Sequence, residues 1–203
     1  MLARLANTEF QGVRSSLKRG LHQKQRELAA LEADATHVRF FLPTMLSGLL
    51  QTPEYARASL GVFPGDHARA VARRLDRQAT LYNPARHFSF ILTEAAVRWQ
   101  LVEAPVMAVQ LGRLASLSEL PNIRLGVIPL DVHVPDGPLS TFTVYDDRIA
   151  TAETFGGVIM MRDPRDVAYH LELFAFFERY AVFGDDVRKL LDKYAHAMRG
   201  ASL

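Results

Sequence analysis

The chain has 203 residues, 49% of them hydrophobic, which is enough for a substantial buried core. Its 24 basic and 22 acidic residues leave a formal net charge of +2, a near balance that excludes a polycation built for nonspecific nucleic-acid binding. The absence of cysteine excludes disulfides, thiolate catalysis and cysteine-ligated zinc, and no stretch approaches the roughly 18 to 20 apolar residues of a membrane span, so a cytoplasmic location is the expectation.

From Thr8 to Phe41, apolar residues Phe10, Val13, Leu17, Leu21, Leu28, Leu31, Ala35 and Val38 recur at steps of three, four and seven. This spacing predicts a helix bent at Gly20, firmest over Gln23 to Phe41 and stopped by Pro43. Thr52 followed by Pro53 and Glu54 reads as an N-cap, a first-turn proline and a dipole-matched acid, opening a second helix. A third is expected from Asp66 to Leu81, with Ala70, Val71, Leu75 and Ala79 inward and Arg69, Arg73, Arg74 and Arg77 mostly outward. For Arg77-Gln78 the alternative is a place lining the interior.

Beyond Pro84 the pattern changes. Phe88, Phe90 and Leu92 alternate with Ser89 and Ile91 as in a strand, and Thr93 caps a short helix from Glu94. Pro105 to Leu120 is an amphipathic helix, broken by Pro121-Asn122 before a buried strand at Ile123 to Leu130. Strands at Leu139 to Tyr145, Ile149 to Thr154 and Val158 to Met161, joined by Asp146-Asp147 and Gly156-Gly157, read as an antiparallel meander. Asp163-Pro164 opens a helix through Phe183, and Asp185 or Asp186 a final one to about Met198. The expected fold class is therefore α+β: one domain over 1–203, in which a helical part (1–83) packs on a small, mostly antiparallel sheet (84–162) closed by C-terminal helices (163–203).

The segment Gly48-Leu49-Leu50-Gln51-Thr52-Pro53-Glu54-Tyr55-Ala56-Arg57, preceded by Leu31-Glu32 and Ala35, resembles the signature of the uncharacterised, antitoxin-like domain that follows the helix-turn-helix in actinobacterial Xre-type transcription regulators. The resemblance continues through Arg74, Arg77-Gln78, Glu94-Ala95-Ala96, Gln110-Leu111, Pro121-Asn122-Ile123, Val127-Ile128-Pro129, Phe142 and Glu153-Thr154, covering roughly Gln23 to Phe183. Ser47 stands where the family usually has proline. About twenty residues precede the match, against the ~60 that a helix-turn-helix occupies, so the chain reads either as a shortened one or as a natural stand-alone member. In both cases no DNA-reading helix of its own is expected.

The resemblance implies a regulatory module that binds a small molecule or a small acidic partner protein, without direct sequence-specific contact to nucleic acid and without a membrane. The competing reading is a stand-alone enzyme of specialised metabolism with Glu94, His133 and Glu153 as its chemical groups. A homodimer through the helices flanking Leu28 to Phe41 stays open. The junction of the helical and strand-bearing parts is where a cleft is expected. Gln51 and Tyr55 from the first part, with Arg98, Gln110 and Glu153 from the second, are its ligand-binding candidates, and Trp99 is a wall.

For each of these a structural reading stands beside the functional one. Gln51 and Tyr55 suit a capped loop-to-helix junction, and Glu94 with Arg98 is an ordinary i,i+4 ion pair. Asp131 with His133, near Asp136-Gly137, offers an acid and a base on a loop but no third orienting group. His87, His133 and His170 lack metal-ligand spacing, so neither metal nor cofactor is expected.

Overall fold

Strands and helices alternate along the chain in the computed structural model, which describes residues 8–12, 30–61, 66–154 and 157–200. Among these residues, seven strands form one sheet: β1 (Thr8–Gly12), β2 (His37–Leu42), β3 (His87–Thr93), β4 (Ile123–Ile128), β5 (Thr141–Tyr145), β6 (Ile149–Thr154) and β7 (Gly157–Met161). Their order is β1-β7-β6-β5-β2-β3-β4. β3 runs parallel to β2 and to β4, and the other neighbours are antiparallel. The helices are α1 (Pro53–Leu60), α2 (Ala68–Arg77), α3 (Glu94–Arg98), α4 (Ala104–Leu117), α5 (Pro164–Glu178) and α6 (Gly184–Gly200). Residues 30–34 are also helical, and Gln78–Tyr82 tightens into a 3-10 turn after α2. No helix among the described residues is long and apolar enough to cross a membrane.

This mixed sheet with helices on both faces is an α/β fold and corrects the α+β expectation of a small, mostly antiparallel sheet on a helical N-terminal part. The error lies in the first forty residues. Thr8–Gly12 is an edge strand on β7, and His37–Leu42 is an interior strand between β3 and β5. Val38, Phe40 and Leu42 enter one core while Phe41 enters the other. A strand buried on both faces loses its apolar-polar alternation and reads as a continuous apolar run, so its residues extended the helical spacing of those before them. Residues 13–29, which carry much of that spacing, lie outside the described residues, as does Gly156.

One face of the sheet packs Phe88, Phe90, Leu92, Leu125 and Val127 against α4 and α6 through Leu111, Leu114, Val187 and Leu191. The other packs Phe41, Ile91, Phe142 and Val144 against Val167, Phe174 and Phe177 of α5, with Phe41 stacked on Phe177 at 4.3 Å and on Phe142 at 5.1 Å. A third, smaller cluster joins Ala56 and Leu60 of α1 to Ala70 and Val71 of α2. The β5–β6 turn is pinned by Asp146, which adopts a left-handed backbone (φ 52°). Its carboxylate accepts from Thr36 N (3.0 Å), Thr36 Oγ1 (2.9 Å) and His37 N (2.8 Å), offsetting the cost of that conformation and tying the meander to the start of β2.

Candidate functional site

The chain leaving β2 buries Leu46, Leu49 and Leu50 and so carries backbone polar groups into the interior, where each needs a partner. Side-chain amides from three elements supply them. Gln110 of α4 donates from Nε2 to Leu50 O (2.9 Å) and accepts from Thr52 N (2.7 Å). Gln78 donates from Nε2 to Gly48 O and Gln51 O, both 2.8 Å, and accepts from Arg113 Nη2 at 2.6 Å. Gln51 donates to Leu46 O (2.8 Å). Thr52 then caps α1 by accepting from Tyr55 N (3.4 Å), with Pro53 in the first turn.

Arg74 and Arg77 of α2 reach into this network. Arg74 Nη1 donates only to neutral oxygens, Gln51 Oε1 and Ser59 Oγ, at 2.6 Å each, and its Nε finds no acceptor among the described residues. Burial first, and the neighbouring Arg77 charge second, pull its pKa down to about 10. Arg77 Nε lies 2.9 Å from Glu32 Oε2, both side chains being at least nine-tenths buried (7% and 2% exposed). Arg86 donates to the Glu32 carbonyl. Burial pushes the Glu32 carboxyl up to about 7, against the opposing pull of Arg77 and Arg86. Gly48 makes room for both arginines: a Cβ there would meet Arg74 Cγ and Cδ and Arg77 Nη2 at 3.1 Å.

The sheet contributes Tyr145, Thr143 and Thr151, all buried, with Glu153 exposed at the end of β6. The register Tyr145↔Ile149, Thr143↔Thr151, Thr141↔Glu153 sets them on one face. Tyr145 feels the charges of Glu32, Arg77 and Glu153, and its pKa is raised by burial and then by Glu32. Glu153 also acts on Arg74. The result is a polar cluster between α2, the loop after β2 and the sheet, in which two adjacent guanidinium groups face one buried carboxyl and one exposed one.

Of the sequence candidates, the structure brings Gln51, Tyr55 and Gln110 together, and sets Glu153 within electrostatic reach of the Arg74 that Gln51 holds. Tyr55 is buried against the Leu46 backbone without a well-aligned hydrogen bond, and burial pushes its pKa up to about 12. Arg98 and Trp99 lie elsewhere. Arg98 donates to Glu94 Oε1 at 2.8 Å and sits 5.4 Å over the Tyr194 ring, and Trp99 is 68% exposed. Glu94 accepts from Leu130 N at 2.9 Å. Burial raises its pKa, but the bonds from Leu130, Arg98 and Tyr194 outweigh that and leave it lowered. Glu94 follows β3 and Glu153 ends β6, three strand spacings or about 14 Å apart. His133, with Asp131 and Asp136, is exposed on the loop after β4. The described residues hold no group of three or more potential metal ligands. A shallow groove of about 320 Å³ lies beside Arg113, lined by Tyr82, Ser116, Leu117 and Leu120.

The sequence reading missed Glu32 and Arg74 as members of this cluster. The signal was present, because residues 70, 71, 74, 77 and 78 form a single i, i+3, i+4 stripe, of which the apolar members were read as inward, Arg77-Gln78 were given the interior as an alternative, and Arg74 was read as outward. Arg69 and Arg73 do face solvent.

A family model described as a domain of unknown function, DUF5753, matches residues 25–193. No curated protein matches the chain. Among solved structures, NucT from Helicobacter pylori is similar with a TM-score of 0.52 at 10% identity, covering 87% of this chain and 98% of that one. Nuc from Salmonella typhimurium, a phospholipase D family member, gives 0.46 at 9% identity over 78% and 90% of the two chains. TrmBL2, an archaeal chromatin protein, gives 0.45 at 11% identity over 87% and 53%. At these identities the likeness to NucT is one of fold alone.

Proposed function

Because the chain belongs to the DUF5753 family, a domain of unknown function, we propose that it is a regulatory binding module of the kind that follows the helix-turn-helix in actinobacterial Xre-type regulators. In this reading it receives a small polar molecule where the Gly48–Arg57 segment, α2 and the sheet meet. One observation carries this. Gly48 and Gln51, two residues of that segment, help seat Arg74 and Arg77 against the loop after β2. A fold that needed only a helix cap there gains nothing from one buried and one part-buried guanidinium group, since desolvating such ions is costly. Sites for small ligands combine such preorganised polar groups with apolar walls.

The reading is checked by a thermal-shift screen of neutral and charged metabolites on the purified chain, with mobility-shift assays on genomic fragments in parallel. A ligand that raises the melting temperature in wild type but not in Arg74→Gln is the expected result. No sequence-specific DNA complex is expected at about 150 mM salt, because a net charge of +2 supports few of the phosphate contacts on which such binding depends. A screen in which nothing stabilises the chain, or a nanomolar DNA complex, overturns the reading.

A further inference from the structure

We propose that Arg74 and Arg77, set against the sheet face of Tyr145, Thr151 and Glu153, bind the carboxylate or phosphate group of a small molecule, and that this anion takes the place of Glu32 on Arg77. The inference rests on the ligand-binding reading above and specifies the chemistry of the ligand.

The charge balance of the cluster leads to it. Arg74 is hydrogen-bonded to neutral oxygens and lies beside a second guanidinium, and two like charges in a low-dielectric interior repel unless compensated. Among the described residues, the buried carboxyl in contact is Glu32, at 2.9 Å from Arg77, and Glu153 is exposed at the end of its strand. A guanidinium offers a planar fork of donors that suits carboxylate and phosphate oxygens. The fork needs to be held, and it is: Gly48 packs on the stem of Arg74 and on the guanidinium of Arg77, while Gln51 and Ser59 grip one end of Arg74.

Exchange of Glu32 for the anion has a proton balance. The groups facing the Glu32 carboxyl are Arg77 from α2, Arg86 from the loop before β3 and Tyr145 from β5, and Glu153 acts on the same tyrosine. Once Arg77 turns to the anion, the carboxyl remains buried with less opposing charge, and burial favours its neutral form. Glu32, already about half protonated at pH 7, therefore takes up as much as about half a proton from solvent as the anion enters. Residues 30–34, which carry Glu32, lead directly into β2, so the exchange loosens an anchor at the segment that enters the central strand.

The test is titration of the full chain at pH 7 with sodium sulfate, inorganic phosphate and succinate, against sodium chloride at equal ionic strength. Sulfate serves for the proton count because it does not titrate in this range. The oxyanions are expected to raise the melting temperature where chloride does not. Arg74→Gln and Arg77→Gln are expected to weaken sulfate binding at least tenfold, while Arg69→Gln on the exposed side of α2 leaves it unchanged. Calorimetry in two buffers of different ionisation enthalpy is expected to show proton uptake with sulfate. Glu32→Gln, an isostere that keeps the interior filled, is expected to bind sulfate more tightly and without proton uptake. Phosphate and sulfate acting without succinate assigns a phosphate group, and the reverse a carboxylate. Responses to sulfate, phosphate and succinate that all equal the response to chloride, or undiminished oxyanion binding in folded Arg74→Gln, overturn the anion site. Sulfate binding with no proton uptake and no effect of Glu32→Gln overturns the displacement. If neutral metabolites stabilise the chain and no oxyanion does, this inference falls while the ligand-binding reading stands.

Discussion

Glu32 exchanges one cost for another: its carboxylate neutralises Arg77, but only by remaining charged in a site that is 2% exposed. Its pKa, about 7 in the folded chain against 4.5 for the free group, means that the folded state holds a proton which the unfolded state has already released between these values. Stability from this group is therefore greatest below pH 4.5, falls as pH rises toward 7 and is level above it, an effect on the order of 3 kcal/mol. Urea denaturation of wild type and Glu32→Gln at pH 5 and pH 8 checks this. The variant should lose less stability than wild type over that interval, and parallel slopes would refute it. Glu32 stood in the sequence as part of a family lead-in, but nothing in its spacing distinguished a buried acid from a solvated one. Only the approach of Arg77 and Arg86, 45 and 54 residues away in sequence, creates its environment.

At the scale of elements, Gln110 couples α4 to the loop before α1 through two buried hydrogen bonds. Gln110→Ala removes the partners of Leu50 O and Thr52 N, both in buried surroundings, and should cost about 2 to 4 kcal/mol in chemical denaturation. Arg98→Ala, whose side chain is 55% exposed, should cost less than about 1 kcal/mol. Comparable losses in the two would show that the surface pair is structural. Local chemistry made several of these elements legible. Thr52-Pro53, Thr93 and Asp163-Pro164 cap α1, α3 and α5 where the sequence placed them, because capping is settled within one turn of chain. The same locality failed for the site, since Arg98 ends a well-marked helix but lies over Tyr194, on a helix about a hundred residues later, and Trp99 is left exposed.

For the whole molecule, the strands from His87 onward were readable because turns and alternation bound them, whereas β1 and β2 were not. What makes β2 a strand is its position between β3 and β5, which no window of residues contains. Its Phe41 is the joint between the sheet and α5: stacked on Phe177 at 4.3 Å and on Phe142 at 5.1 Å, it is 1% exposed. Phe177→Ala should empty that joint and lower stability by about 3 to 5 kcal/mol, measured by denaturant titration. A loss below about 1 kcal/mol would show that α5 is not a principal cover of this face.

The placement of β2 also bears on how the chain comes to be folded. Thr36 waits for an acceptor 110 residues downstream, and β5, the strand that closes one side of β2, is made about a hundred residues after it. At synthesis rates of about 5 to 20 residues per second, Val38-Arg39-Phe40-Phe41-Leu42 spends roughly 5 to 20 s outside the ribosome before that neighbour exists. An aromatic, β-forming stretch with an open edge is the kind of segment that pairs with the wrong strand or is held by a chaperone in the interval.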